Sequence, residues 1–233
     1  MEMLPTILIP GLGASARLYS DQIPALWRFG SVTVANHTRH NSMSAIAKDI
    51  LDCAPPRFAL AGLSMGGYVA FEIMRQAPER VTKLALLDTS ARPDTPEQTQ
   101  RRRLMIGTVQ AGDYRTLPDL FFPTWVHHTR RQDTTLRGIL GDMFSDTGPD
   151  AFIRQQTAIM ARPDSRPSLA AVKCPTLVLV GDGDELTPPA LAEEIAQGIP
   201  GARSVLVPEC GHLSSLERPE FVTAKLVEWL AGK

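Results

Sequence analysis

Six short, nearly continuous apolar runs constrain the architecture of this chain more than any other feature. They lie at Thr6 to Ile9, Ser31 to Ala35, Phe58 to Ala61, Leu84 to Leu87, Thr176 to Val180 and Ser204 to Val207. A strand that is apolar without alternation has both faces covered, which is the condition of a parallel sheet flanked by helices. Helix-length segments separate the runs. Ser42 to Cys53 sets Met43, Ile46, Ala47, Ile50 and Leu51 on one face, and Tyr68 to Gln76 and Ala190 to Ala196 are similarly compact. The alternation predicts an α/β fold, a mostly parallel central sheet with helices on both faces.

The last helix carries a start signal: Ser214 and Glu217 have the spacing of a capping box, and Pro219 suits a first turn before Phe221, Leu226, Trp229 and Leu230. Its aromatic face is expected to pack on the sheet. The rhythm breaks from about Ser90 to Ala170, where no strand is evident but helical patches, prolines and large apolar residues such as Phe121, Phe122, Trp125, Phe144 and Phe152 gather. A structureless insertion of that length is improbable. Residues 90–170 are therefore expected to form a helical cap inserted into a core of residues 1–89 and 171–233, all within one domain, which a length of 233 residues accommodates.

Bulk properties exclude several classes. With 43% hydrophobic and 21% charged residues the chain has the balance of a packed, soluble protein. A formal net charge of -1, with no strong concentration of Lys and Arg, lacks the footprint of a nucleic-acid binder. Cys53, Cys174 and Cys210 stand at wide, irregular spacings that match neither a disulfide framework nor a zinc site, so a reducing compartment is expected. The N-terminal run is acidic at its start and broken by Pro5 and Pro10, and no stretch reaches the roughly 20 apolar residues of a membrane span. A cytoplasmic protein without a membrane partner is expected, and nothing in the sequence distinguishes a monomer from a homodimer. His37 with His40, and His127 with His128, have no carboxylate or cysteine partner at metal-site spacing, so no metal is expected. Arg101, Arg102 and Arg103 read as a solvated helical face rather than an anion site, and Cys210 as a small buried hydrophobe.

The strongest chemical signal is RFALAGLSMGGYVAFEI, in which an apolar run ends at Gly62 and a helix begins just beyond Ser64. In G-x-S-x-G a sharp strand-to-helix turn forces the serine into a strained conformation with its hydroxyl exposed, and Gly62 and Gly66 let backbone approach closely. The N–H of Met65 then lies at a helix N-terminus, where it can stabilise a developing oxyanion. A serine hydroxyl needs a base to become a nucleophile. His212, in the loop between the run Ser204 to Val207 and the last helix, is the candidate. A carboxylate to orient it is available at Asp182, Asp184 or Glu185 in LVLVGDGDELTPP, with Asp88 as a further choice; Asp184 is favoured because a group a few residues past a strand end can reach across to an imidazole. A second oxyanion donor is expected after the first run, in ILIPGLGAS, from the amide of Leu12, since Pro10 has no N–H. That G-x-G is a weak dinucleotide signal, lacking the third glycine and a following acid.

Taken together, the stretches IPGLGAS, LAGLSMGGYVAFEI, APERVTKLALLDTS, PTLVLVGDGDELTPP and PECGHLSSLERPE resemble the α/β-hydrolase-fold superfamily, in its branch of small esterases, enol-lactonases and C–C hydrolases. The resemblance implies Ser64 as nucleophile, Asp184 as acid and His212 as base, with the Leu12 and Met65 amides as oxyanion hole. The chain departs from the pattern where many relatives carry His-Gly and it has Pro10 and Gly11, and in the shortened ANHTRHNSM, both of which reshape the pocket mouth. The expected activity is cofactor-independent hydrolysis of a small carboxylic ester or lactone through an acyl-enzyme. Phe121, Phe122 and Trp125 are expected to contact an apolar part of the substrate. Cleavage of a carbon–carbon bond in a ring-fission diketone, and non-catalytic ligand binding on the same scaffold, are the alternatives.

Overall fold

A computed structural model describes residues 3–232. Strand β1 (Thr6–Ile9) leads through the short helix α1 (Ile23–Leu26) to β2 (Val32–Val34), and α2 (Met43–Cys53) returns the chain to β3 (Phe58–Leu63). Helix α3 (Met65–Gln76) and β4 (Val81–Leu87) follow. The next four helices are α4 (Pro96–Gln110), α5 (Leu117–Trp125), α6 (Thr134–Thr147) and α7 (Pro149–Met160), with no strand among them. The sheet resumes with β5 (Thr176–Gly181), α8 (Pro189–Gly198) and β6 (Arg203–Val207), and the chain closes with α9 (Ser214–Glu217) and α10 (Pro219–Ala231).

All six strands pair in parallel, in the order β2-β1-β3-β4-β5-β6. Each apolar run of the sequence is one of these strands, and the reason for the missing alternation is visible in β1, β3 and β5, whose residues are buried throughout. The outer strands differ. Most of β6 is solvent-facing, with Leu206 55% exposed, and β2 is only partly covered, because each has a neighbour on one side alone. Helix α2 buries the five residues its periodicity marks, and Ser42 caps it by accepting from the Ala45 N–H.

The C-terminal helix departs from expectation. It is broken into α9 and α10, and Ser214 forms no capping box, its hydroxyl having no hydrogen-bond partner among the described residues. The Glu217 carboxylate turns instead to the loop before it and accepts the N–H groups of Gly211 and Leu213. Helix α10 buries Val222, Leu226, Trp229 and Leu230 and leaves Phe221 half-buried. Helices α5, α6 and α7 close on an aromatic cluster in which Phe121, Phe144 and Phe152 lie at 5.7–6.3 Å between ring centroids. Helix α4 buries fully only Val109, so it is a thin cover rather than a core element. No helix among the described residues is long and apolar enough to cross a membrane.

Candidate active site

The strand order reverses direction between β1 and β3, so the loops leaving their C-terminal ends open side by side, the usual place for a ligand in an open parallel sheet. Ser64 sits in the loop after β3 with φ 55° and ψ −114°, a conformation that L-residues rarely adopt and that costs on the order of 1–3 kcal/mol. Neighbouring bonds hold it there: its N–H donates to Leu87 O at 2.9 Å, and its own carbonyl accepts from Gly67 N–H at 2.9 Å and from the Thr89 hydroxyl at 2.8 Å. The turn is tight enough that a Cβ at Gly62 would strike the Gly66 backbone, and one at Gly66 would strike the Ile9 carbonyl.

His212 reaches it from the loop after β6. Its Nε2 lies 2.8 Å from Ser64 Oγ and its Nδ1 2.8 Å from Asp184 Oδ2. An ionised carboxylate can only accept, so Nδ1 carries the proton and the Nε2 lone pair faces the serine hydroxyl. Asp184 is saturated: Oδ1 accepts from the N–H groups of Leu186 and Thr187 at 2.8 and 2.9 Å, and Oδ2 from the Thr187 hydroxyl at 2.7 Å. Burial pushes the Asp184 carboxyl up, but the His212 charge and these hydrogen bonds outweigh it and hold the carboxyl below its ordinary value. Burial likewise depresses His212, and the Asp184 charge and hydrogen bond more than reverse that, leaving the imidazole easier to protonate than a free one.

The other carboxylates near the imidazole have different employment. Asp182 accepts the N–H groups of Glu209 and Cys210, both at 3.0 Å, and so anchors the loop that carries His212. Asp88 is fully buried, accepts from Gly181 N–H at 3.1 Å and Ser214 N–H at 3.3 Å, and is driven well above the ordinary carboxylate range by burial and by the Asp184 charge. Glu185 pairs with Arg131 at 3.1 Å. Glu217 is a residue that sequence reasoning assigned to a cap. It is 2% exposed and joins three segments, accepting His127 N–H at 2.7 Å as well as the two amides of the His212 loop. The carbonyl of Trp125, at the end of α5, takes the His212 N–H at 2.9 Å.

The loop after β1 turns at Gly13, with φ 65°, and the Phe144 ring covers the space a Cβ would need. Gly13 N–H donates to Gln155 Oε1 at 2.9 Å, and the buried His37 bonds Gly11 O through Nε2 at 2.9 Å. Burial keeps His37 harder to protonate than usual. These contacts fix both sides of Leu12. The backbone N–H groups of Leu12 and Met65 have no acceptor among the described residues.

A cavity of about 520 Å³ opens above these groups, with Ser64, His212, Gly11 and Leu12 in its wall. Phe121 and Trp125, one helical turn apart on α5, face it together and stack at 4.9 Å, whereas Phe122 is absent from the wall. One residue of helix turns a side chain through about 100°, and Phe122 is accordingly buried beneath the Arg137 guanidinium, 5.0 Å from its ring, so the expected substrate contact is withdrawn for that residue. The arginine run departs from expectation at Arg102, which lines the cavity and is bound to Asp94 and Gln156 instead of facing solvent; Arg101 and Arg103 are exposed, Arg101 at the edge of the cavity wall. Cys210 is buried, as expected of a small hydrophobe. Among the described residues no group of three or more His, Cys, Asp and Glu side chains is placed to hold a metal ion.

Comparison with known proteins gives a consistent picture. The sequence pattern of an alpha/beta hydrolase family matches residues 7–225. A pimeloyl-[acyl-carrier protein] methyl ester esterase of Nitrosomonas europaea is 31% identical over 77% of this chain and 74% of its own length. Among solved structures, a thermophilic esterase from Thermogutta terrifontis superposes with a TM-score of 0.90 at 31% identity, covering 99% of this chain and 90% of the other. The enol-lactonase from Burkholderia xenovorans LB400 superposes with a TM-score of 0.89 at 25% identity, covering 99% and 92%.

Proposed function

The chain belongs to the alpha/beta hydrolase family, and from that premise we propose that it is a serine hydrolase that cleaves small carboxylic esters or lactones through an acyl-enzyme. The observation that carries this reading is the unbroken line of 2.8 Å contacts from Ser64 through His212 to Asp184 in the wall of a cavity. His212 takes the hydroxyl proton as Ser64 Oγ bonds to the carbonyl carbon. The Leu12 and Met65 amides, with no acceptor of their own, receive the oxyanion of the tetrahedral intermediate; loss of one such donor typically costs about 100-fold to 1000-fold in rate. When the intermediate collapses, the alkoxide leaves with the proton from His212. A water deprotonated by the same imidazole then bonds to the acyl carbon, and Ser64 departs with its proton restored.

Asp184 acts throughout as a fixed negative charge. It holds the imidazole in the required tautomer and stabilises the imidazolium that each proton transfer creates, without taking the proton itself. Residues 90–170 act as a cap: α4 and α5 supply the far wall of the cavity, and the mixture of Leu12, Leu18, Met105, Phe121 and Trp125 there favours an apolar acyl or alcohol group. Turnover of a panel of short-chain esters, lactones and diketones tests the reading. Ester or lactone hydrolysis that falls by at least about 1000-fold in Ser64→Ala supports it. Turnover of diketones alone, or hydrolysis unchanged in the variant, contradicts it.

A further inference from the structure

The cavity that holds Ser64 in its wall is also lined by Arg101, Arg102 and Arg162. Arg102 and Arg162 share one carboxylate, that of Asp94, whose side chain is 1% exposed, and the two arginine side chains are only 19% and 6% exposed. Arg102 gives Nε and Nη2 to Asp94 and Nη1 to Gln156 Oε1. Arg162 gives Nη1 to Asp94 and to the Ile159 carbonyl and Nε to the Arg92 carbonyl, while its guanidinium lies 4.2 Å over the Tyr68 ring. A guanidinium has five N–H groups. Both N–H groups on Nη2 of Arg162 are therefore left without an acceptor among the described residues, as is one on each Nη of Arg102.

Other charges in the wall are already matched. Arg92 is held in a two-pronged pair by Glu194, and Glu185 by Arg131. Arg101, also in the wall, has no ion pair among the described residues. Arg102 and Arg162 thus share the single carboxylate of Asp94, and Arg101, whose only acidic influence among the described residues is that of Glu97 on the same helix, adds a further cation to the same cavity wall. The unpartnered N–H groups are not among the sealed, unsatisfied polar atoms, so they stay accessible to a ligand, and hydrogen bonds between a guanidinium and a carboxylate are among the strongest that a ligand can complete.

We propose that Arg101, Arg102 and Arg162 form a carboxylate subsite, so that the preferred substrates are esters carrying a free carboxylate at the end remote from the scissile bond, such as half-esters of dicarboxylic acids. The inference rests on the hydrolase reading for the ester and on the arginine cluster alone for the carboxylate. Apolar contacts would hold the methylene chain between the two ends, and the charge at the far end would select against neutral esters of equal length.

The test measures binding in Ser64→Ala, where turnover does not interfere. Monomethyl and dimethyl esters of succinate through suberate are titrated calorimetrically, each pair differing only in the free carboxylate. At the best-fitting length the half-ester is expected to bind at least about 10-fold more tightly than the diester. Adding Arg102→Met should bring the ratio of the half-ester and diester affinities to about one; the ratio is read within a single protein and so does not depend on the fraction folded. Arg101→Gln, a change on an exposed residue, should reduce the preference without touching the buried ion cluster. Equal affinity for half-ester and diester at every length overturns the subsite, as does a preference that survives both substitutions. If the half-esters bind as described but a fluorophosphonate fails to modify Ser64 in the native protein, the hydrolase reading fails and the subsite stands.

Discussion

The proton between His212 and its neighbours is the smallest feature on which the chemistry turns. Asp184 raises the imidazole above its ordinary 6.5, so the base form needed by Ser64 accumulates only above that pH, and hydrolysis should rise with a midpoint on the alkaline side of 6.5. Asp184→Asn removes the charge that raises the group and leaves the burial that lowers it. The midpoint should therefore move to lower pH, and kcat should fall on the order of 10,000-fold as the tautomer is lost; a pH–rate profile of the two proteins checks both. A midpoint that does not move would mean that Asp184 is not the charge that His212 senses. The same shifts set the sign of the stability effect. The raised His212 stabilises the fold fully below pH 6.5 and loses that contribution as pH climbs through its folded value, whereas the depressed Asp184 contributes above its ordinary 3.8 and fails as pH falls below it.

At this scale the sequence is informative where chemistry is tied to local geometry. Ser64 is legible because its flanking glycines and helix start belong to one continuous segment. Asp184 is separable from Asp182 only through the fold, since the two are two residues apart and what divides them is that the amides of Glu209 and Cys210 occupy Asp182. Glu217 and Arg102 depart from their sequence expectation for a related reason. Their partners lie across the molecule, in His127 and in Asp94 and Gln156, and nothing in the local pattern of a capping box or a basic run announces them.

Among the elements, the inner strands are the most readable because complete burial leaves an uninterrupted apolar signature. The edges are not, since β2 and β6 carry the same kind of run while facing solvent, and only the pairing order distinguishes them. Helix register is similarly decisive in α5, where Phe121 and Trp125 reach the cavity and Phe122 does not. The contact between α7 and the loop after β1 has a functional consequence. Gln155 accepts the Gly13 N–H beside Leu12, so its carboxamide fixes the amide expected to receive the oxyanion. Gln155→Met, which keeps the length of the side chain but loses the acceptor, should lower kcat by about 10-fold or more with little change in KM, because the donor is used in the transition state rather than the ground state. Equal kcat in the two proteins would show that the loop keeps its shape without this bond.

Across the whole molecule, the sheet brings together side chains that are far apart in the chain. Ser64 and His212 are separated by 148 residues, and they meet because β3 and β5–β6 present their C-terminal ends to the same side of one parallel layer. The alternation of strands and helices makes that layer foreseeable, but the strand order and the way α4 and α5 close over it depend on contacts that no local pattern encodes. The most direct measurement is therefore of this long-range pairing itself: reaction with a fluorophosphonate, with the adduct located by mass spectrometry in the native protein and in His212→Ala. Modification of Ser64 alone, slowed by at least about 1000-fold when the imidazole is removed, is the predicted result. Modification at another residue, or of Ser64 at an unchanged rate without His212, would contradict the proposal that this histidine activates this serine.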